Sequence, residues 1–276
     1  NPKVRHKLKS IPLDKKNNVY ITYLPDATEN DILETVDFVS KQELTPITHL
    51  PARTMRDLDH VSDFLKELRN RTDSKKILVI GGGGNQNGSV SSSLEILESG
   101  LLKDNDFEEI GIAGHPEGSP DIDQNTVNEF LDKKYELSKD KDLNLELVTQ
   151  FFFNAEPFIK WCKFLDNSNI KLPVRVGFPG PASFKTLLNF GIMSGVGNSL
   201  SFLKKNSSKV TDLLTKTSND EMFIELANFS EEQSSFKNFH CFPFGGFEKT
   251  CHWLNALQNG DFIMENDKIV LHNKIF

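Results

Sequence analysis

The chain has 276 residues, 37% hydrophobic and 26% charged, a balance that builds a core and excludes disorder as its main state. Its net charge of −7 comes from 39 acidic against 32 basic residues; the basic ones are scattered, without aromatics between them, which argues against nucleic acid or a membrane surface as partner. Cys162, Cys241 and Cys251 cannot all pair and no apolar run is long enough to cross a bilayer, so a reduced, cytoplasmic setting is expected.

In chain order, Asn1 to Ser10 lacks the apolar stretch of a secretory signal, and Val4, Leu8 and Ile11 among basic residues read as a helix. The first strand covers Val19 to Leu24. Thr28, three residues before Asp31, is an N-cap with an acidic third position, and the helix it opens sets Ile32, Leu33, Val36 and Val39 on one face. Further strands are expected at Pro46 to Leu50, Ile77 to Gly81, Ile110 to Gly114, Leu145 to Phe153, Val174 to Phe178 and Phe239 to Phe242. Between them, Gly100 stops the helix holding Leu94 to Leu97, and Phe158, Ile159, Cys162 and Leu165 share another helical face. Ser194 to Asp220 reads as an elaborated helical crossover, and Phe262 to His272 as a terminal hairpin turning at Asn266-Asp267. Most of the 22 phenylalanines should be core.

Seven strands alternating with helices in one domain fit either an open doubly wound sheet or most of a closed eight-stranded barrel. The pattern does not choose between them. Both put function in the loops after the strands.

After the third strand, Gly81-Gly82-Gly83-Gly84-Asn85 can bring backbone N–H groups close to a phosphate or flavin, or serve as a flexible turn; it is neither a G-x-G-x-x-G fingerprint nor a Walker loop. The fourth strand runs into His115-Pro116-Glu117-Gly118-Ser119-Pro120, a stiffened polar loop that binds something or merely faces solvent. His49 ends the second strand, where a lone histidine is commonly structural. Thr149-Gln150-Phe151-Phe152-Phe153-Asn154 sets a carboxamide beside an aromatic face, which suits a flat heteroaromatic ligand; Phe152 and Phe153 are read as core. No His-x-x-x-His pair, grouped cysteines or G-x-S-x-G elbow is present, so no metal is expected.

Taken in succession, Ile21-Thr22-Tyr23, Thr48-His49-Leu50, Gly81-Gly82, Ala113 to Pro120, Val148 to Phe153 and Phe239 to Gly246 resemble the methylenetetrahydrofolate reductase family over almost the whole chain. The resemblance implies a TIM-type (β/α)₈ barrel that holds FAD and interconverts 5,10-methylene- and 5-methyltetrahydrofolate by hydride transfer, with NADH or NADPH as co-substrate. It places Thr22, Tyr23, His49, Gly81, Gly82, Gly83, Gly114, His115 and Lys134 on FAD, with Lys139 competing for the last role. Gln150 and Phe151 would hold the folate substrate, and Phe190 would stack on substrate or nicotinamide. A homo-oligomer is possible within such a family.

Three departures stand out. The family's first strand and its catalytic glutamate have no counterpart in the 18 residues before Val19; Gly83 stands where an acidic residue is usual; and Gly246 stands where the last strand often carries arginine. These suggest a divergent branch running toward methylenetetrahydrofolate. The alternatives are a flavin-free folate-binding methyltransferase barrel and a non-catalytic folate- or flavin-binding protein.

Overall fold

Strand order follows chain order from β1 (Asn18–Ile21) through β2 (Thr45–Pro51), β3 (Lys76–Ile80), β4 (Glu109–Gly114), β5 (Leu145–Phe151) and β6 (Val174–Pro179) to β7 (Phe236–Phe242) in the computed structural model. It describes residues 2–10, 13, 17–24, 26–83, 85–119, 122–194, 220–233, 235–244, 246–265 and 268–272. Residues 195–219 of the expected crossover, the Asn266-Asp267 turn, Ile11, Gly84, Pro120 and Gly245 lie outside them. β1 pairs with β2, β2 with β3, β3 with β4 and β6 with β7, all in parallel. Parallel strands in sequential order with helical crossovers make the fold α/β of the TIM-barrel type.

The crossovers include α1 (Glu29–Lys41), α2 (Leu58–Arg69), α3 (Ser93–Glu98), α4 (Leu101–Asp104), α5 (Gln124–Asp140), α6 (Ala155–Asn167), α7 (Phe184–Met193) and α8 (Asp220–Glu232), with α9 (Phe247–Asn259) after β7. Pro2–Ser10 forms a 3-10 helix that buries Leu8. The α1 start is a capping box: Thr28 Oγ1 accepts from Asp31 N at 3.2 Å and Asp31 accepts from Thr28 N at 3.0 Å, so two helix-end donors are satisfied. Gly100 turns the chain between α3 and α4 with φ +81°, a left-handed conformation that glycine adopts without Cβ strain. β8 (Phe262–Glu265) and β9 (Lys268–Leu271) form the antiparallel hairpin.

The chain divides into two compact units, Asn1–Ala113 with Asn128–Leu147, and Gly114–Val127 with Val148–Phe276. The first has a core of aliphatic side chains around Phe64, with Ile32, Val36 and Val39 from α1, Val61, Leu65 and Leu68 from α2, and Ile47, Leu50, Ile77 and Val79 from the strands. The second is aromatic. Phe152 stacks on Phe158 at 5.5 Å, and Phe178 stacks on Trp253 at 5.5 Å with the rings nearly parallel. All six residues of β6 are buried, as expected of a parallel strand covered on both faces.

Candidate ligand site at the strand ends

In the first unit, three strand ends carry residues expected to bind a ligand. β1 stops at Ile21, so Thr22 and Tyr23 leave it half-buried. The Tyr23 ring tilts against Phe64, centroids 6.3 Å apart, and burial, reinforced by the Glu29 carboxylate, pushes its hydroxyl up to about 12; Tyr23 is therefore a neutral donor. On β2, the His49 ring meets Tyr20 edge to face at 6.1 Å. Its Nε2 is buried and has no hydrogen-bond partner, and desolvation pushes its pKa down to about 4, which keeps the imidazole neutral.

The glycine turn follows β3. Gly82 has φ +84°, and a Cβ there would lie 3.0 Å from the Pro51 Cβ, whereas one at Gly81 or Gly83 would meet nothing within 4 Å. Arg53 N donates to Gly81 O at 3.0 Å and Asn87 N to Arg53 O at 2.8 Å, which docks both ends of the turn on the segment after β2. Lys134 stands on α5, where burial pulls its amine down to about 8.

A cavity of about 470 Å³ opens in the same unit, lined by Tyr23, Glu29, Thr54, Arg56, His60 and Asn87. Apart from Tyr23, none of these was singled out from the sequence. His60 Nδ1 accepts the Arg56 N–H at 3.1 Å, so the ring proton sits on Nε2 and is donated to Glu29 Oε1. The histidine has both nitrogens engaged and acts by orienting the carboxylate.

In the second unit, Gly114 is glycine by necessity: a Cβ would lie 2.9 Å from Trp161 Cη2 and 3.3 Å from Thr149 Cγ2. His115 is half-buried and opens a tight turn in which Gly118, φ +83°, donates to His115 O at 3.1 Å. Strand alternation puts Gln150 on the face opposite Thr149, and the Gln150 carboxamide oxygen accepts the N–H of Phe151 at 3.2 Å. Phe151 is enclosed, with Phe153, Phe242 and Phe244 rings at 5.5, 5.3 and 4.6 Å. Phe190 packs on Phe244 at 4.6 Å. Phe153 and Phe151 thus share one cluster with Leu187, while Phe152 packs separately on α6. Among the described residues no group of three His, Cys, Asp or Glu side chains could hold a metal ion, and no helix is long and apolar enough to cross a membrane.

No family model matches the chain. Solved structures similar to it include the catalytic domain of a mannanase from Streptomyces sp. SirexAA-E, with 12% identity, TM-score 0.41, and coverage of 70% of this chain and 67% of that one. A β-mannanase from Streptomyces thermolilacinus with mannohexaose matches at 15% identity and TM-score 0.40, covering 70% of each chain. At such values nothing about substrate or mechanism carries over. Both are mannanases and neither is a flavin or folate enzyme. The expected FAD-dependent interconversion of methylene- and methyltetrahydrofolate, with the place in one-carbon metabolism and methionine biosynthesis that goes with it, finds no counterpart in them and is withdrawn.

Proposed function

We propose that the chain is a β/α-barrel enzyme that holds a flat heteroaromatic ligand at the ends of β1, β2 and β3, with FAD as its occupant. The observation that carries this reading is His49 Nε2, buried near the carboxyl end of β2 without a partner. A buried polar atom left unpaired costs about 1–3 kcal/mol; a hydrogen bond to a ligand edge recovers it.

The glycine turn supports the reading, since the open space at Gly81 and Gly83 lets a ligand come against the main chain. Thr22 and Tyr23 would offer hydroxyls, and Lys134 a cationic group for the cofactor's phosphates. When bound, a flavin brings two-electron chemistry of its own, and the protein supplies orientation and hydrogen bonding. NADH or NADPH, also flat and heteroaromatic, is the second ligand proposed for these strand ends.

The test is the absorption spectrum of the purified protein before and after incubation with FAD and gel filtration. Bound flavin near one equivalent, falling at least about tenfold in His49→Ala, is the expected result. A folded protein that stays colourless and retains no FAD overturns the reading.

A further inference from the structure

Two opposite charges stand on the wall of the 470 Å³ cavity without meeting. The Glu29 carboxylate is held by His60, and no ion pair joins it to Arg56, nor does any carboxylate of a described residue pair with Arg56. Tyr23 and Asn87 add a hydroxyl and a carboxamide to the same wall. We propose that this cavity binds a small zwitterion of the α-amino acid class, its carboxylate on Arg56 and its ammonium on Glu29.

Charge selects this class over the alternatives. A phosphate dianion would meet Arg56 but also the Glu29 carboxylate, and like charges in one site repel. An uncharged polyol would shield both charged groups from water while neutralising neither, at a desolvation cost. A zwitterion neutralises both. The volume lies within the range of small-molecule sites.

The local structure prepares each end. Arg56 is tied through its backbone, since its N–H goes to His60 and its carbonyl accepts from Ser89 N at 2.6 Å and Ser89 Oγ at 3.1 Å; the guanidinium remains for the ligand. Gly88 lies so close that a Cβ there would fall 2.0 Å from Arg56 O, so the chain at Gly88 closes tightly on this segment. His60 occupies Glu29 Oε1 and leaves Oε2 for an ammonium group.

The inference does not depend on a flavin at the strand ends, and the two fail separately, one being read by absorbance and the other by calorimetry. The common L-amino acids are screened singly at about 10 mM for a rise in melting temperature, and the best binder is titrated calorimetrically beside its N-acetyl and methyl ester forms. Each derivative, lacking one charge, should bind at least about tenfold more weakly. Arg56→Gln should erase the penalty for the ester, and Glu29→Gln the penalty for the N-acetyl form. The proposal is overturned if no amino acid raises the melting temperature, or if both derivatives bind as tightly as the parent. The wild-type comparison of the three ligand forms decides this even if a variant fails to fold.

Discussion

His60 and Glu29 fasten two helix starts together: the imidazole in the first turn of α2 takes the Arg56 N–H on Nδ1 and gives its Nε2 proton to the first residue of α1. The His60 side chain is 13% exposed and that of Glu29 38%, so the bond is shielded on one side and wet on the other. Its net worth is that of a hydrogen bond to a charged group, reduced by solvent on the Glu29 side. His60→Ala should cost about 1–2 kcal/mol, seen as a lower urea midpoint with an unchanged slope. A neutral result would mean that water replaces the ring without loss.

His49 makes stability depend on pH. Its folded pKa, about 4, lies below the unfolded value of about 6.5, so between the two the unfolded chain binds more protons. Stability from this group is present above about 6.5 and is lost as pH falls toward 4, with a slope of up to about 1.4 kcal/mol per pH unit. Urea titrations across that window should show a shallower slope for His49→Gln than for the wild type. Equal slopes would show that the histidine is not the group responsible.

Gly177 and Gly81 should respond differently to alanine. A Cβ at Gly177 would lie 2.4 Å from Gln150 O and 2.6 Å from Thr149 O, backbone atoms that cannot swing aside. Gly177→Ala should therefore cost about 3 kcal/mol or more. Gly81→Ala, with open space around the added atom, should stay within about 1 kcal/mol of the parent. Thermal or denaturant unfolding of the pair checks both figures.

Thr149 and Thr28 each hold a backbone N–H through a hydroxyl. The first is buried and accepts from Gly177 N at 2.7 Å; Thr149→Val leaves that donor unpaired and should cost about 1–3 kcal/mol. The second caps α1 at the surface, and Thr28→Ala should cost about 1 kcal/mol. A larger loss at Thr28 than at Thr149 would reverse the argument from burial.

The β-branched and aromatic runs located every strand of the seven, because parallel strands covered on both faces must be apolar almost throughout. Their ends were less legible. β1 stops at Ile21 although Tyr23 and Leu24 look equally strand-like, since its register with β2 ends at the Ile21–Thr48 pair. β7 begins three residues early, at Phe236, through polar residues: Asn238 is held by Arg175 at 3.0 Å, a contact between residues 63 positions apart that no local pattern displays. The two-unit division was not legible either, for its boundaries fall inside β4, α5 and β5, where no linker composition marks them.

The site divides in the same way. His49, Tyr23 and the glycine turn could be named because strand ends are where such folds place function. Glu29 and His60 could not, for they are 31 residues apart and each looks like an ordinary residue of a helix's first turn. A signal was present in Asp57, whose side chain accepts His60 N at 2.7 Å and so fixes where α2 begins; what lay opposite the ring required the fold. Nor could the sequence tell that Phe153 joins Phe151 while Phe152 packs elsewhere, because alternation at a strand end depends on where the strand stops.

The terminal hairpin carries a consequence for the order in which the chain assembles. β8 and β9 are adjacent in sequence and can pair within microseconds. Among the described residues, one tie from the hairpin to the rest of its unit is Ile269 N, which donates to Asp220 Oδ2 at 3.2 Å from 49 residues away, on the first residue of α8. That bond must wait for a long loop to close and for α8 to be in place. The hairpin should therefore form early as a loose ornament and become seated late, so that its amide protons gain protection from exchange in two stages.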